Sequence, residues 1–275
     1  MNTFKKILKY LVVYGLLLVF PAVVVAIVLV VKDRLNGGTM DSDIVWNSPY
    51  MVPAMAVGVL LNIIVFLWRR WAVLELGRIS RSDVWMVIVM AVMAFLGWFF
   101  PEDLLQRLID VPSNLSEKEF DQMTNGVVGI IDTGFMTPVA EELLCRGAIL
   151  GTLLMMMPRR PWVCIVVSAL IFGLIHLNPV QIVFGSLYGL LLGWLFWRTR
   201  SLLPSIVVHV ANNTTVLLLP ESADNAIENM SLTTEILLSV VSLIVLFVAL
   251  RWFARQYNSS VGTVLNEFTQ YAHHS

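Results

Sequence analysis

Eight apolar runs, separated by short polar or charged connections, set the rhythm of the chain: residues 10–31, 50–68, 84–100, 126–157, 161–177, 180–197, 203–219 and 233–250. Each is near the roughly 20 residues that a helix needs to cross a bilayer core. Unbroken apolarity over such lengths predicts membrane helices rather than strands. The run at 126–157 is overlong, and Thr137-Pro138 in its middle predicts a break or kink, because proline lacks an N–H and crowds the preceding turn. In the connection before that run, Leu104, Leu105, Leu108 and Ile109 recur at helical spacing, and Ser116-x-x-Glu119 has the form of a capping box. Short amphipathic helices on the outer membrane surface would satisfy both features, and a solvated acidic loop fits equally well.

Composition sharpens this reading. The chain has 275 residues, of which 58% are hydrophobic and 13% charged, against about 25% charged in a typical soluble domain. With a mean hydropathy of +0.80, an integral membrane protein in the lipid bilayer is the class that fits. A net charge of −1 argues against a nucleic-acid partner. Cys145 and Cys164 both lie in apolar runs, read as small hydrophobes, and say nothing of redox compartment. Lys5, Lys6 and Lys9 precede the first run as in a signal peptide, but the run exceeds the roughly 7–15 residues of a signal core and reads as a retained span.

Basic residues predict the orientation. Thirteen of the eighteen lysines and arginines fall in one alternating set of connections, at Lys5, Lys6, Lys9, Arg69, Arg70, Arg78, Arg81, Arg159, Arg160, Arg198, Arg200, Arg251 and Arg255. The other set has Lys32, Arg34, Arg107 and Lys118. Both termini are therefore expected in the cytoplasm, and the membrane is expected to be a bacterial plasma membrane. The opposite connections are acidic, with Glu102, Asp103, Asp110, Glu117, Glu119 and Asp121 before the fourth run and Glu221, Asp224 and Glu228 before the eighth. The polar tail from Gln256 to Ser275 reads as terminal disorder, and its His273-His274 pair carries little weight as a metal site. The expectation is an all-α polytopic fold of about eight transmembrane helices. It divides into three spans with an acidic external loop (1–125), a central segment (126–219), and a last span with its tail (220–275).

Charge inside an apolar run is where chemistry is sought. Each charge at membrane depth costs roughly 2.5–3.5 kcal/mol on insertion scales. Glu141-Glu142-Leu143-Leu144-Cys145-Arg146 places three such groups in six residues, with Asp132 the only other charge from Gly126 to Met157. Glu142 and Arg146 are i,i+4 neighbours in the favourable order and can pair. Glu141 points about 100° away, so one arginine does not satisfy both glutamates. A carboxylate left over suits general-base chemistry, with a structural charge network as the lesser alternative. His176 ends the stretch Phe172-Gly173-Leu174-Ile175-His176. His209 and Asn213 share a helix face at i,i+4 and offer donors for an oxyanion or for interhelical hydrogen bonds. Alone, the His176 cluster and the His209–Asn213 pair are better explained by structure. Together they make a water-activating carboxylate, an imidazole and an oxyanion-binding pair, the components of amide hydrolysis. Gly185, Gly189 and Gly193 recur every four residues as a close-packing stripe with no chemistry assigned.

At these residues the chain resembles the CPBP family of intramembrane proteases, which includes CAAX prenyl-protein endopeptidases and the bacterial Abi and bacteriocin-processing or immunity proteins. The family's EExxxR motif appears as Glu141-Glu142-Leu143-Leu144-Cys145-Arg146, FxxxH as Phe172 to His176, and HxxxN as His209 to Asn213. The likeness covers about Thr137 to Asn213. It implies an all-helical, four-helix catalytic core within 126–219. There Glu141, assisted by His176, would activate water against a peptide carbonyl, His209 and Asn213 would stabilise the oxyanion, and Glu142, Arg146 and Phe172 would support the site. The implied partner is a membrane-associated peptide or protein substrate. A metal stays open, since Glu141, His176 and His209 could give zinc three ligands with water in the fourth position. The competing expectation is a non-catalytic membrane binding protein, such as one conferring self-immunity to a bacteriocin. Straight spans would set His176 and His209 at different depths, roughly 24 Å and 12 Å from the same side.

Overall fold

A computed structural model of the chain describes residues 2–39, 43–72, 81–109, 111, 117–124 and 126–256. All regular structure among them is helical. Helices α1 (Thr3–Leu35), α2 (Asp43–Trp46), α3 (Met51–Trp68), α4 (Arg81–Ile109) and α5 (Glu117–Thr124) lead into a continuous rod, α6, over residues 126–156. Then come α7 (Pro161–Leu174), α8 (Pro179–Thr199), α9 (Leu202–Leu217), α10 (Glu221–Glu228) and α11 (Leu232–Gln256). All eight apolar runs become helices. Five are long and apolar enough to span a membrane, α7 and α9 are shorter, and the rod is the eighth. Large side chains on α1 face outward, Leu16 at 66% and Phe20 at 65% exposure, which only a lipid surround makes tolerable.

The rod lies at the centre, packed against α1, α3, α7, α8 and α9, while α4 pairs along its length with α11. Small residues set the close approaches. A Cβ on Gly58 of α3 would sit 2.4 Å from the Leu18 carbonyl oxygen of α1. Beside it, the Asn62 amide donates to the Tyr14 and Gly58 carbonyls. The glycine stripe of α8 faces α7, where a Cβ on Gly189 would meet Ala169 at 3.0 Å and one on Gly193 would meet Ile165 at 3.1 Å.

The expected break at Thr137-Pro138 does not occur. Two π-helical stretches, Asp132–Met136 and Leu143–Leu150, bracket a short α-helical piece, Thr137–Glu142, and the rod runs through all three. Pro138 can donate neither to Gly134 (i−4) nor to Thr133 (i−5), and bare carbonyls are not tolerated at membrane depth. Helix α9 supplies the missing donors. The Asn213 amide reaches the Thr133 oxygen at 3.3 Å and the Thr214 hydroxyl reaches the Gly134 oxygen at 3.1 Å. Proline thus leaves the helix unbroken, because a neighbouring helix satisfies what it frees.

Other expectations shift slightly. Leu104, Leu105, Leu108 and Ile109 do not form a separate surface helix. They extend α4, which continues through Pro101. Ser116 and the Gln256–Ser275 tail beyond Gln256, with His273-His274, lie outside the described residues. Helix α7 ends at Leu174, three residues earlier than the apolar run, because Leu177 turns left-handed at φ 55°, Asn178 caps α8 and Pro179 begins it.

Candidate active site

The rod, the end of α7, the middle of α8 and the middle of α9 bring the charged hexapeptide and both histidines together. Glu142 and Arg146 pair as their spacing predicts, Nη1 to Oε1 at 2.7 Å, both fully buried. The other Arg146 terminal nitrogen donates to the Gly189 carbonyl at 3.1 Å, and the guanidinium lies 4.3 Å over the Phe172 ring. Gly189 therefore does more than allow close packing. A carbonyl in the stripe holds the arginine of the site, and no side-chain signal in the sequence marks a backbone acceptor. Within the second π stretch, the Ser168 hydroxyl binds the Cys145 oxygen at 2.8 Å and ties α7 to the rod.

Glu141 lies between the histidines. Its Oε1 is 3.5 Å from His176 Nε2 and its Oε2 is 3.7 Å from His209 Nε2. The depth conflict dissolves here. Both Nε2 atoms lie within 3.7 Å of one carboxylate, so the two histidines share a depth that equal straight spans would deny them. His176 sits in the tight α7–α8 connection, inside the bundle.

The second ring nitrogens fix what the first can do. His176 Nδ1 is 2.8 Å from the Phe172 carbonyl, which can only accept, so Nδ1 carries a proton. His209 Nδ1 is 3.0 Å from Glu142 Oε1, and the carboxylate already accepting from Arg146 requires a proton there too. In neutral imidazoles both Nε2 atoms then present lone pairs toward the Glu141 oxygens. Three acceptors converge with no donor among them, which is a place for a water's protons. Phe172 packs edge-on to both imidazoles, and Tyr188 of α8 closes the other side of His209 at 5.8 Å while its hydroxyl holds the Val208 carbonyl. Nothing in the sequence marks Tyr188, which adjoins Gly189 of the packing stripe.

Asn213, expected beside the oxyanion, spends one amide hydrogen on Thr133, which leaves it one further hydrogen. For zinc, the three candidates Glu141, His176 and His209 meet in pairs. Yet no set of three His, Cys, Asp or Glu side chains among the described residues has the disposition to hold a metal ion. The donor set does not fit a three-ligand centre, and no step of the proposed reaction runs through one.

Residues 123–215 match the family model described as Type II CAAX prenyl endopeptidase Rce1-like. The segment is CAAX-protease-like. It starts just ahead of the rod and ends at Thr215, two residues after Asn213, so every polar group of this site falls within the CAAX-protease-like segment. At the level of the family, that supports an intramembrane endopeptidase with a peptide substrate. No curated protein and no solved structure matches the chain.

Proposed function

We propose that the chain is an intramembrane endopeptidase that hydrolyses a membrane-associated peptide or protein with a water activated by Glu141. The observation that carries the reading is the three-acceptor convergence of Glu141, His176 Nε2 and His209 Nε2. A water there can donate one proton to Glu141 and one to His176 while its lone pair faces a peptide carbonyl. Attack forms the tetrahedral intermediate. Glu141 then passes the proton taken from water to the leaving amine, and the C–N bond breaks.

The two histidines differ in partner and so in task. His176 rests on a neutral carbonyl and accepts from the water. His209 rests on a carboxylate, as the imidazole of a Ser-His-Asp triad does; once its Nε2 lone pair takes a proton from solvent, Glu142 stays on Nδ1 and the new Nε2–H faces the developing oxyanion. The remaining Asn213 hydrogen supports the same oxygen. Glu142 and Arg146 hold His209 and Phe172 in place. The arginine and lysine distribution assigns both termini to the cytoplasmic side, and the membrane is taken to be a bacterial plasma membrane.

The alternative, a binding or immunity protein without catalysis, keeps the same polar cluster for recognition. Membrane peptides from a deletion strain, complemented with wild-type or Glu141→Ala protein, separate the two. Fragments present with wild type and absent with Glu141→Ala support the protease. A deletion phenotype fully corrected by Glu141→Ala, with unchanged fragments, supports the binding protein.

A further inference from the structure

Four carboxylates are buried among the described residues: Asp132, Glu141, Glu142 and Glu235. Three face a basic nitrogen. Glu142 has Arg146 and His209, Glu141 has His176 and His209, and Glu235 has Arg107 at 2.7 Å. Asp132 has none. It is 7% exposed, its Oδ1 lacks any hydrogen-bond partner, and no ion pair holds it among the described residues. A carboxylate left this way inside a membrane bundle marks a pathway or a ligand site more often than a structural one.

Its placement ties it to the active site. Asp132 opens the first π stretch of the rod, and such stretches recur at functional sites. The next two carbonyls are pinned to α9 by Asn213 and Thr214, on the helix that supplies His209. Nine residues of the rod separate Asp132 from Glu141, at most about 13 Å along its axis. An extended peptide covers that distance in about four residues.

The local charge is one-sided as well. From Asp132 to Arg146 the rod carries three carboxylates and one guanidinium, and the sequence entering it is acidic at Glu102, Asp103, Asp110, Glu117, Glu119 and Asp121. Such a field draws cations and repels anions.

We propose that Asp132 is a recognition carboxylate for a cationic group of the peptide substrate, a lysine or arginine side chain or a free amino terminus, placed within about four residues of the scissile bond. This rests on the protease reading, and selectivity follows from it. A substrate cation supplies the counter-charge that the fold withholds, and a neutral isostere leaves the carboxylate bare.

Two readouts on the full chain in detergent micelles test this. In the first, Glu141→Gln protein is treated with a hydrophobic carbodiimide, which couples amines to carboxylates, together with a membrane-anchored peptide bearing one lysine. Coupling mapped to Asp132 by mass spectrometry is the expected result. Coupling confined to exposed carboxylates would overturn the proposal, even if no cleavable peptide is found. In the second, kcat/KM is compared for lysine and norleucine peptides. The lysine peptide should be preferred at least tenfold by wild type, and the ratio should fall to near one in Asp132→Asn. A ratio unaffected by Asp132→Asn would place the carboxylate outside recognition. Coupling mapped to Asp132 with no peptide cleaved by wild type would instead defeat the protease reading, so the two failures are distinct.

Discussion

Replacing Arg146 with methionine removes a charge but little volume, and the contacts of the guanidinium set the size of the effect. Arg146 is fully buried, and its loss strips the Glu142 carboxylate of a 2.7 Å partner, the Gly189 carbonyl of a donor, and Phe172 of a stacked cation. Breaking one side of a buried ion pair costs about 3–5 kcal/mol, and an unmatched charge at membrane depth about 2.5–3.5 kcal/mol. His209 stays as a second donor to Glu142, which places the expected loss near the overlap, about 3 kcal/mol or roughly a hundredfold in the folding equilibrium. Glu142→Gln in the same protein removes the stranded charge, so the double variant should cost at least ~2 kcal/mol less than the sum of the singles. Equilibrium unfolding in mixed micelles at increasing denaturing-detergent fraction measures all three. Additive single costs, or a loss below ~1 kcal/mol for Arg146→Met, would refute the claim that this pair carries the charge of the cluster.

Three other outcomes rest on particular contacts. Gly189→Ala should destabilise by about 1–3 kcal/mol and reduce cleavage, since its Cβ would press Ala169 and, at 3.2 Å, Phe172, whereas Gly185→Ala, with nothing nearer than 3.7 Å, should be tolerated in the same thermal melts. Asn213→Ala should cost about 0.6–2 kcal/mol by stranding the Thr133 carbonyl, and Pro138→Ala, which restores an N–H to the rod, should recover stability without recovering cleavage. Cleavage should survive exhaustive chelation. Activity lost to a chelator and restored by zinc would show that Glu141, His176 and His209 rearrange into a metal centre in the working enzyme.

Much of the fold is written in hydropathy, because a helix is the one open backbone that satisfies itself in lipid. Each apolar run therefore appears as a helix, and the i,i+4 pairing of Glu142 with Arg146 is local enough to read directly. The failures are all tertiary. Pro138 looked like a break because its two orphaned carbonyls are answered by Asn213 and Thr214, some 75 residues away in sequence. The presence of a proline in a membrane helix with Thr and Asn on a later one was the available signal. The meeting of His176 with Glu141 depended on α7 being short and on Leu177 adopting a left-handed turn, which its residue type does not announce. Gly189 as an acceptor and Tyr188 as a wall for His209 are properties of helix packing, with no pattern in the chain to reveal them.

The central claim is that Glu141 activates the water. Its direct test uses purified wild-type and Glu141→Gln proteins, both verified as folded by the same thermal melt, against internally quenched membrane-anchored peptides with and without a prenylated CAAX end. Wild type should cleave at least one of them, and Glu141→Gln should lose at least a hundredfold in kcat, about 2.7 kcal/mol of barrier, with little change in KM. Undiminished turnover by folded Glu141→Gln would contradict the account.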